Sequence, residues 1–322
     1  MKFYLSILFC LVVHGVFAQP DSLYIQKKAK PEKEIVPVWE QKNKAGLDLN
    51  EVSFVNWSSG GSNSISAILN LASSLSYTYK DFIWNNTLNT RYGINQQESQ
   101  PLKKTDDLFE VNSTLGYKKS ESSKWYYSAR FNFKTQFANG YSYPDTSKPI
   151  SKFLAPGYMF FGGGMEYGKN IKELSFYFSP LTYKATFVLD ETLANAGAFG
   201  VTPAVYDADG NLIKKGDNVR EELGILITNS YEMEVLKNIK VKSTASLYTD
   251  YLNSFGNIDV DWEIYFDFKV NNFVKASLGS HLKYDNDVKN QVVINEEEDE
   301  YEQRGAKVQW RQLLGIGVVV DF

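Results

Sequence analysis

The residues best equipped for chemistry gather near the end of the chain. The segment 258–270 alternates apolar and polar residues, and Asp259, Asp261, Glu263 and Asp267 share its polar face. The segment 274–285 alternates too, and His281 and Lys283 lie on its polar side. If the two are antiparallel strands joined at 271–273, Glu263 stands across from His281 and Asp261 across from Lys283. A carboxylate-held histidine can serve as the general base of a hydrolase, or it can be one member of an ion-pair network. A phospholipase-type arrangement would want a serine two residues after the histidine, and that position is Lys283. The residues therefore favour the network.

Other candidate chemistry is thin. The run Glu296-Glu297-Glu298-Asp299-Glu300-Tyr301-Glu302 offers hard oxygen ligands for divalent cations, or is simply a solvated acidic loop. Asp207-Ala208-Asp209-Gly210-Asn211 places its glycine too early for a calcium loop, and Asp209-Gly210 reads instead as a hairpin tip flanked by Val205-Tyr206 and Leu212-Ile213. Cys10 is the single cysteine, inside the N-terminal apolar stretch, so the rest of the chain has neither a thiol nucleophile nor a thiolate metal site. No phosphate-cradling loop, zinc spacing or nucleophile elbow is present, so no cofactor, no metal and no catalytic residue is expected. A net charge of −4 argues against nucleic-acid binding.

What must position these groups is a sheet. Polarity alternates with period two in 47–56, 64–80, 82–95, 108–118, 125–137, 155–167, 174–188, 219–234, 239–251, 258–270, 274–285 and 306–322. Most are long enough to cross a bilayer at a tilt, and the connections alternate long and short with one modest exception. That is the pattern of an all-β, antiparallel up-and-down transmembrane β-barrel of about twelve strands, with short periplasmic turns and long external loops. Tyr77, Tyr79, Trp84, Tyr117, Trp125, Tyr167 and Trp262 are placed to form interfacial girdles. Arg130, Lys134, Lys242, Asp261, Glu263, Asp267, His281 and Lys283 then face the lumen as a polar network of mixed sign. Arg91, Glu110, Arg220, Glu222, Glu232, Asp250, Asp259 and Arg311 add further lumen charges. Gly157, Gly162, Gly163 and Gly164 crowd one strand, either at a tight bend or where something approaches the backbone, and the bend is favoured. The segment 189–218, rich in Ala and Gly, is long enough to fold over the mouth.

The ends of the chain fit export. Lys2, an apolar stretch and Val16-Phe17-Ala18 form a secretory signal over 1–18 with cleavage after Ala18. Residues 19–45 read as a polar periplasmic arm and 46–322 as the barrel. In the last segment Val308, Trp310, Gln312, Leu314, Ile316, Val318, Val320 and Phe322 share one face. An alternating final strand closed by an aromatic residue resembles the membrane-assembly signal of outer-membrane barrels, with Trp310 and Phe322 as its aromatic residues.

Several stretches also resemble a known family. They are Asn56-Trp57-Ser58-Ser59-Gly60-Gly61-Ser62-Asn63-Ser64, Lys103-Lys104-Thr105-Asp106-Asp107, Phe133-Lys134-Thr135-Gln136-Phe137, Ser179-Pro180-Leu181-Thr182 and Leu193-Ala194-Asn195-Ala196-Gly197-Ala198-Phe199-Gly200. Together, over about Val38 to Asp287, they are similar to the Gram-negative outer-membrane family known as domain of unknown function 3078. The resemblance implies an exported outer-membrane barrel and supplies no catalytic residue. The expected function is a narrow channel or transporter for small polar or amphipathic molecules. The alternatives are a non-conducting structural or surface-interaction barrel, and a hydrolase using His281. Expected partners are outer-membrane lipid and lipopolysaccharide, the barrel-assembly machinery and a small-molecule cargo.

Overall fold

Alternating polarity dictates a sheet with one apolar and one polar face, and a bilayer-sized strand set can satisfy all its backbone groups only by closing on itself. The computed structural model shows that closure. It describes residues 36–53, 62–120, 122–170, 174–253, 255–286, 289–295 and 300–321. The expected signal over 1–18, the arm up to residue 35, Phe322 and most of the acidic run 296–302 lie outside the described residues or their side chains.

Twelve antiparallel strands form the barrel: β1 Val38–Val52, β2 Ser64–Tyr79, β3 Phe82–Gln97, β4 Lys103–Lys118, β5 Trp125–Thr135, β6 Gly157–Asn170, β7 Leu174–Phe187, β8 Val219–Leu236, β9 Ile239–Asp250, β10 Asp259–Lys269, β11 Val274–Tyr284 and β12 Gln309–Asp321. Each pairs with its chain neighbour, and β12 returns to β1. One end carries the connections 80–81, 119–124, 171–173, 237–238 and 270–273, and the other carries 53–63, 98–102, 136–156, 188–218, 251–258 and 285–308. Among the described residues no helix is long and apolar enough to cross a membrane.

Two boundaries depart from the sequence reading. The first strand begins at Val38 and is paired from Val38↔Thr78 onward, so residues 38–45 belong to the barrel wall and not to the arm. Its polar start, Glu40 to Lys44, hides the alternation. The fourth strand begins at Lys103, with a register shift between Gly93 and Ile94 that lets it continue past the point where alternation fails.

The outer surface is apolar. Leu69, Leu71, Leu88, Leu115, Phe161, Leu247 and Leu314 all point outward and are exposed. At the short-turn end Trp39 packs on Tyr77 and Trp84, and Trp125 packs on Tyr167. Toward the other end Trp262 and Trp310 donate their indole N–H to Ser243 and Ser280 at 3.0 and 2.9 Å. An outward indole whose one donor is satisfied by a neighbouring hydroxyl suits a boundary between apolar and polar surroundings.

The glycines of β6 serve a bulge. The register between β6 and β7 shifts between Gly163 and Met165, and a Cβ on Gly164 would lie 2.1 Å from the Phe178 carbonyl oxygen. At Gly164 the demand for glycine comes from the close approach of the β7 backbone at this irregularity. A small apolar core sits at the long-loop end, where Ala155 packs with Val188, Leu193, Ala194 and Val201. The segment 188–218 contains a short helix, α1 Glu191–Asn195, capped by Asp190, and the hairpin Val205–Tyr206 with Leu212–Lys214. Gly210, at φ 81°, occupies its tip as the Asp-Gly pair predicts.

Candidate functional site

The interior of the barrel is a set of charged and hydroxyl side chains joined across neighbouring and opposite strands. Alternation puts Asp259, Asp261, Glu263, Tyr265 and Asp267 of β10 inward, with Val260, Trp262, Ile264, Phe266 and Phe268 outward. The result is an acidic ladder down one wall. The tight connection 270–273 fixes the register with β11: Glu263 pairs with His281 and Asp261 with Lys283, as the spacing predicts.

His281 sits between two carboxylates. Its Nε2 lies 2.8 Å from Asp261 Oδ1 and its Nδ1 3.4 Å from Glu263 Oε1. One donor atom from each of these three residues falls within a 4.8 Å group, so a divalent cation is one conceivable occupant. The surroundings argue otherwise. The carboxylates engage opposite nitrogens of the ring, and Lys134 and Lys283 both lie within electrostatic range of Asp261. The arrangement fits a hydrogen-bonded charge network better than a metal centre.

The other expected network residues divide among separate clusters. Arg130 bonds Glu166 at 2.6 Å and lies 4.2 Å from the Tyr177 ring centroid. Lys134 stands opposite Glu110 and within electrostatic range of Asp261 and Glu263. Lys283 reaches over the ring of Tyr158 at 4.6 Å. Asp267 accepts a 2.6 Å bond from Ser277, and Lys242, opposite Glu232 and Tyr265, is exposed. Trp310 is outward and close to the long-loop end.

Three important residues escape the sequence reading. Glu166 is fully buried, and its carboxylate accepts from Ser128, Arg130 and Ser175. Lys184 bridges Glu222 at 3.2 Å and Asp259 at 2.9 Å, tying β7 to β8 and β10. Asp106 binds Arg91 at 3.2 Å through one oxygen and Arg311 at 2.9 Å through the other. Glu166 and Lys184 flank the β6–β7 bulge, and Asp106 falls in a stretch that reads as loop. Asp106 stands within the family-like stretch Lys103–Asp107, which assigns it no role, and only charge could have drawn attention to the other two.

Several of these contacts cross the lumen. Arg311 and Asp106 come from strands four apart around the ring. Arg91 on β3 donates to the hydroxyl of Tyr265 on β10, five strands away, at 3.1 Å. Twelve strands about 4.8 Å apart and tilted about 40° would close on a circle roughly 24 Å across. An arginine and a tyrosine joined tip to tip span only about 17 Å at ordinary bond lengths. The cross-section is therefore narrowed along the line from β3 to β10, and side chains fill that line.

The chain bears similarity to known proteins. Residues 49–141 match the family model described as protein of unknown function (DUF3078), a shorter stretch than the motifs span. Sequence comparison with curated proteins finds no match. Among solved structures, the chain is similar to an outer membrane channel from Pseudomonas putida F1, at 8% identity over 92% of this chain and 100% of that one, with TM-score 0.39. It is also similar to the translocator domain of the autotransporter NalP from Neisseria meningitidis, at 11% identity over 89% of each chain, with TM-score 0.34.

Proposed function

We propose that this protein is an outer-membrane barrel, exported with cleavage after Ala18, whose narrow charge-lined lumen is closed at rest and admits small polar or amphipathic solutes when its internal ties part. The outward belt of Leu, Phe, Trp and Tyr supports the membrane location, because such a surface suits hydrocarbon with interfacial aromatics and suits water badly. The observation that carries the functional reading is the pair of ties Arg91–Tyr265 and Asp106–Arg311 across the lumen. Ion pairs and hydrogen bonds of this kind exchange readily with water and solute, unlike an apolar plug, so they suit a passage that opens.

The same ties also favour a second reading, a barrel that stays closed and serves through its loops. A hydrolase fits less well: each ring nitrogen of His281 faces a carboxylate, so neither is turned toward a hydroxyl that it could activate.

Single-channel recording separates these readings. The wild-type barrel in a planar bilayer should show rare, small conductance steps, and an Arg91→Ala/Arg311→Ala variant should show larger and steadier ones. Wide, steady wild-type steps would refute a closed lumen. Silence from both folded proteins would leave the structural barrel as the better account.

A further inference from the structure

The wall of the barrel is not equally zipped all round. Strand β1 pairs with β2 along its whole length, from Val38↔Thr78 to Val52↔Ser64. On its other side it pairs with β12 only from Lys44↔Asp321 to Asp48↔Gly317, although both strands continue. Beyond that point, among the described residues, Leu49–Val52 and Leu313–Ile316 have no ladder partner across the seam, while β11 still holds β12 as far as Lys283↔Gln309.

The place where pairing stops has its own chemistry. Asp48 packs its carboxylate onto Gly317, where a Cβ would lie 1.9 Å from Oδ1, and accepts a 2.7 Å bond from Asn70 through Oδ2. Past it, outward side chains of β12 are more exposed than others on the belt. Trp310, Leu314 and Ile316 are 67%, 71% and 63% exposed, against 49% for Leu69 and 39% for Leu88 elsewhere on the belt. Four residues of β1 at about 3.3 Å each leave a slot on the order of 13 Å long.

Unpaired backbone facing lipid is costly and is tolerated where it lines a water-filled cavity or a bound molecule. Here the slot has an apolar outer lip, Leu49, Leu314 and Ile316, and toward the lumen Arg311 lies two residues before Leu313 on β12. Both oxygens of Asp106 are taken, one by Arg91 and one by Arg311, so the group left to receive a ligand is a donor. The Arg311 side chain is 41% exposed beside a 7% exposed Asp106, and a guanidinium has five N–H donors. We infer that the gap between β1 and β12 is a lateral port through which an anionic single-chain amphiphile passes between the bilayer and the lumen, its tail against the apolar lip and its head on Arg311. This rests on the barrel lying in a bilayer, which resistance of liposome-bound protein to alkaline extraction reads separately.

The test closes the port by design. Extending the observed register past Asp48↔Gly317 would set residue 50 opposite 315, so Asn50→Cys with Gly315→Cys, in a Cys10→Ser background, can bridge only if the strands come together, since disulfides need Cα atoms within about 7 Å. Ala45→Cys with Val320→Cys, in the paired part, is the control. The port pair should oxidise at least ten-fold more slowly than the control. Once locked, the protein in phosphatidylcholine liposomes should lose binding of a fluorescent dodecanoate at least ten-fold, with recovery on reduction. Arg311→Gln, or the methyl ester of the probe, should weaken binding about ten-fold through loss of a charge-assisted hydrogen bond. Oxidation as fast as the control, undiminished binding by the locked protein, or equal binding of ester and acid would each overturn the port.

Discussion

Replacing Glu166 by alanine should unfold this barrel more readily than any surface change. Glu166 is fully buried and accepts from Arg130 at 2.6 Å, from Ser128 at 3.0 Å and from Ser175. Removing one partner of a buried pair typically costs about 3–5 kcal/mol, because the other charge stays behind without compensation. Arg130 retains some relief, since its side chain is 20% exposed and its guanidinium rests 4.2 Å from the centre of the Tyr177 ring. The lower end is therefore expected, about 3 kcal/mol, or roughly a hundred-fold in the unfolding equilibrium. Urea unfolding of the refolded barrel followed by tryptophan fluorescence reads this as a lower midpoint at unchanged slope. Adding Arg130→Met to Glu166→Ala should recover most of the loss, because an apolar replacement of both partners removes the orphaned charge. A single-variant cost below about 1 kcal/mol, or a double variant no better than the single one, would refute the reasoning.

Three further outcomes follow from other sites. Gly164→Ala should destabilise the barrel by about 1–3 kcal/mol, through overpacking against the Phe178 carbonyl oxygen, and should lower the yield of the compact heat-modifiable form on a gel. Asp190, in the 188–218 loop, is held below the usual carboxylate range by the hydrogen bond from Lys152, and it also caps α1 through the Leu193 N–H. Because its folded value is depressed, the stability it contributes is present above the unfolded value near about 4 and is lost as pH falls through the lower folded value. Protease cleavage within 188–218 should accordingly rise as pH drops below about 4 in the wild type, and an Asp190→Asn variant should show no such step. Deleting Phe322 should reduce the amount of barrel recovered in the outer membrane, and an unchanged amount would remove Trp310 and Phe322 as the assembly signal.

Much of this architecture was legible because alternation is a direct image of a sheet with unlike faces. The segment 258–270 shows it best: its odd positions from Asp259 are nearly all polar and its even ones all apolar, so both the facing and the His281 register could be read. Legibility failed where the ladder is irregular. The extra residue of β7 between Phe178 and Leu181 moves its inward positions by one, so Lys184 is out of step with Ser175 and Tyr177, and on β6 the inward neighbours of Glu166 are glycines, which show no polar face. Asp106 lies beyond the shift at Gly93, in a stretch with too many charges to resemble a strand. Contacts across the lumen, such as Arg91 with Tyr265, depend on the curvature of the whole barrel, and no local pattern encodes that.

The most direct test of the central claim asks what each face of the wall touches. Spin labels placed singly at Leu71, Leu88 and Leu247, and at Asn112 and Asn132, can be compared for collisions with oxygen and with a water-soluble nickel chelate after reconstitution in liposomes. A lipid-facing outer wall predicts high oxygen and low nickel accessibility at the three leucine positions, with the two asparagine positions shielded from oxygen. Equal nickel access at all five would contradict a barrel whose apolar face lies in a membrane.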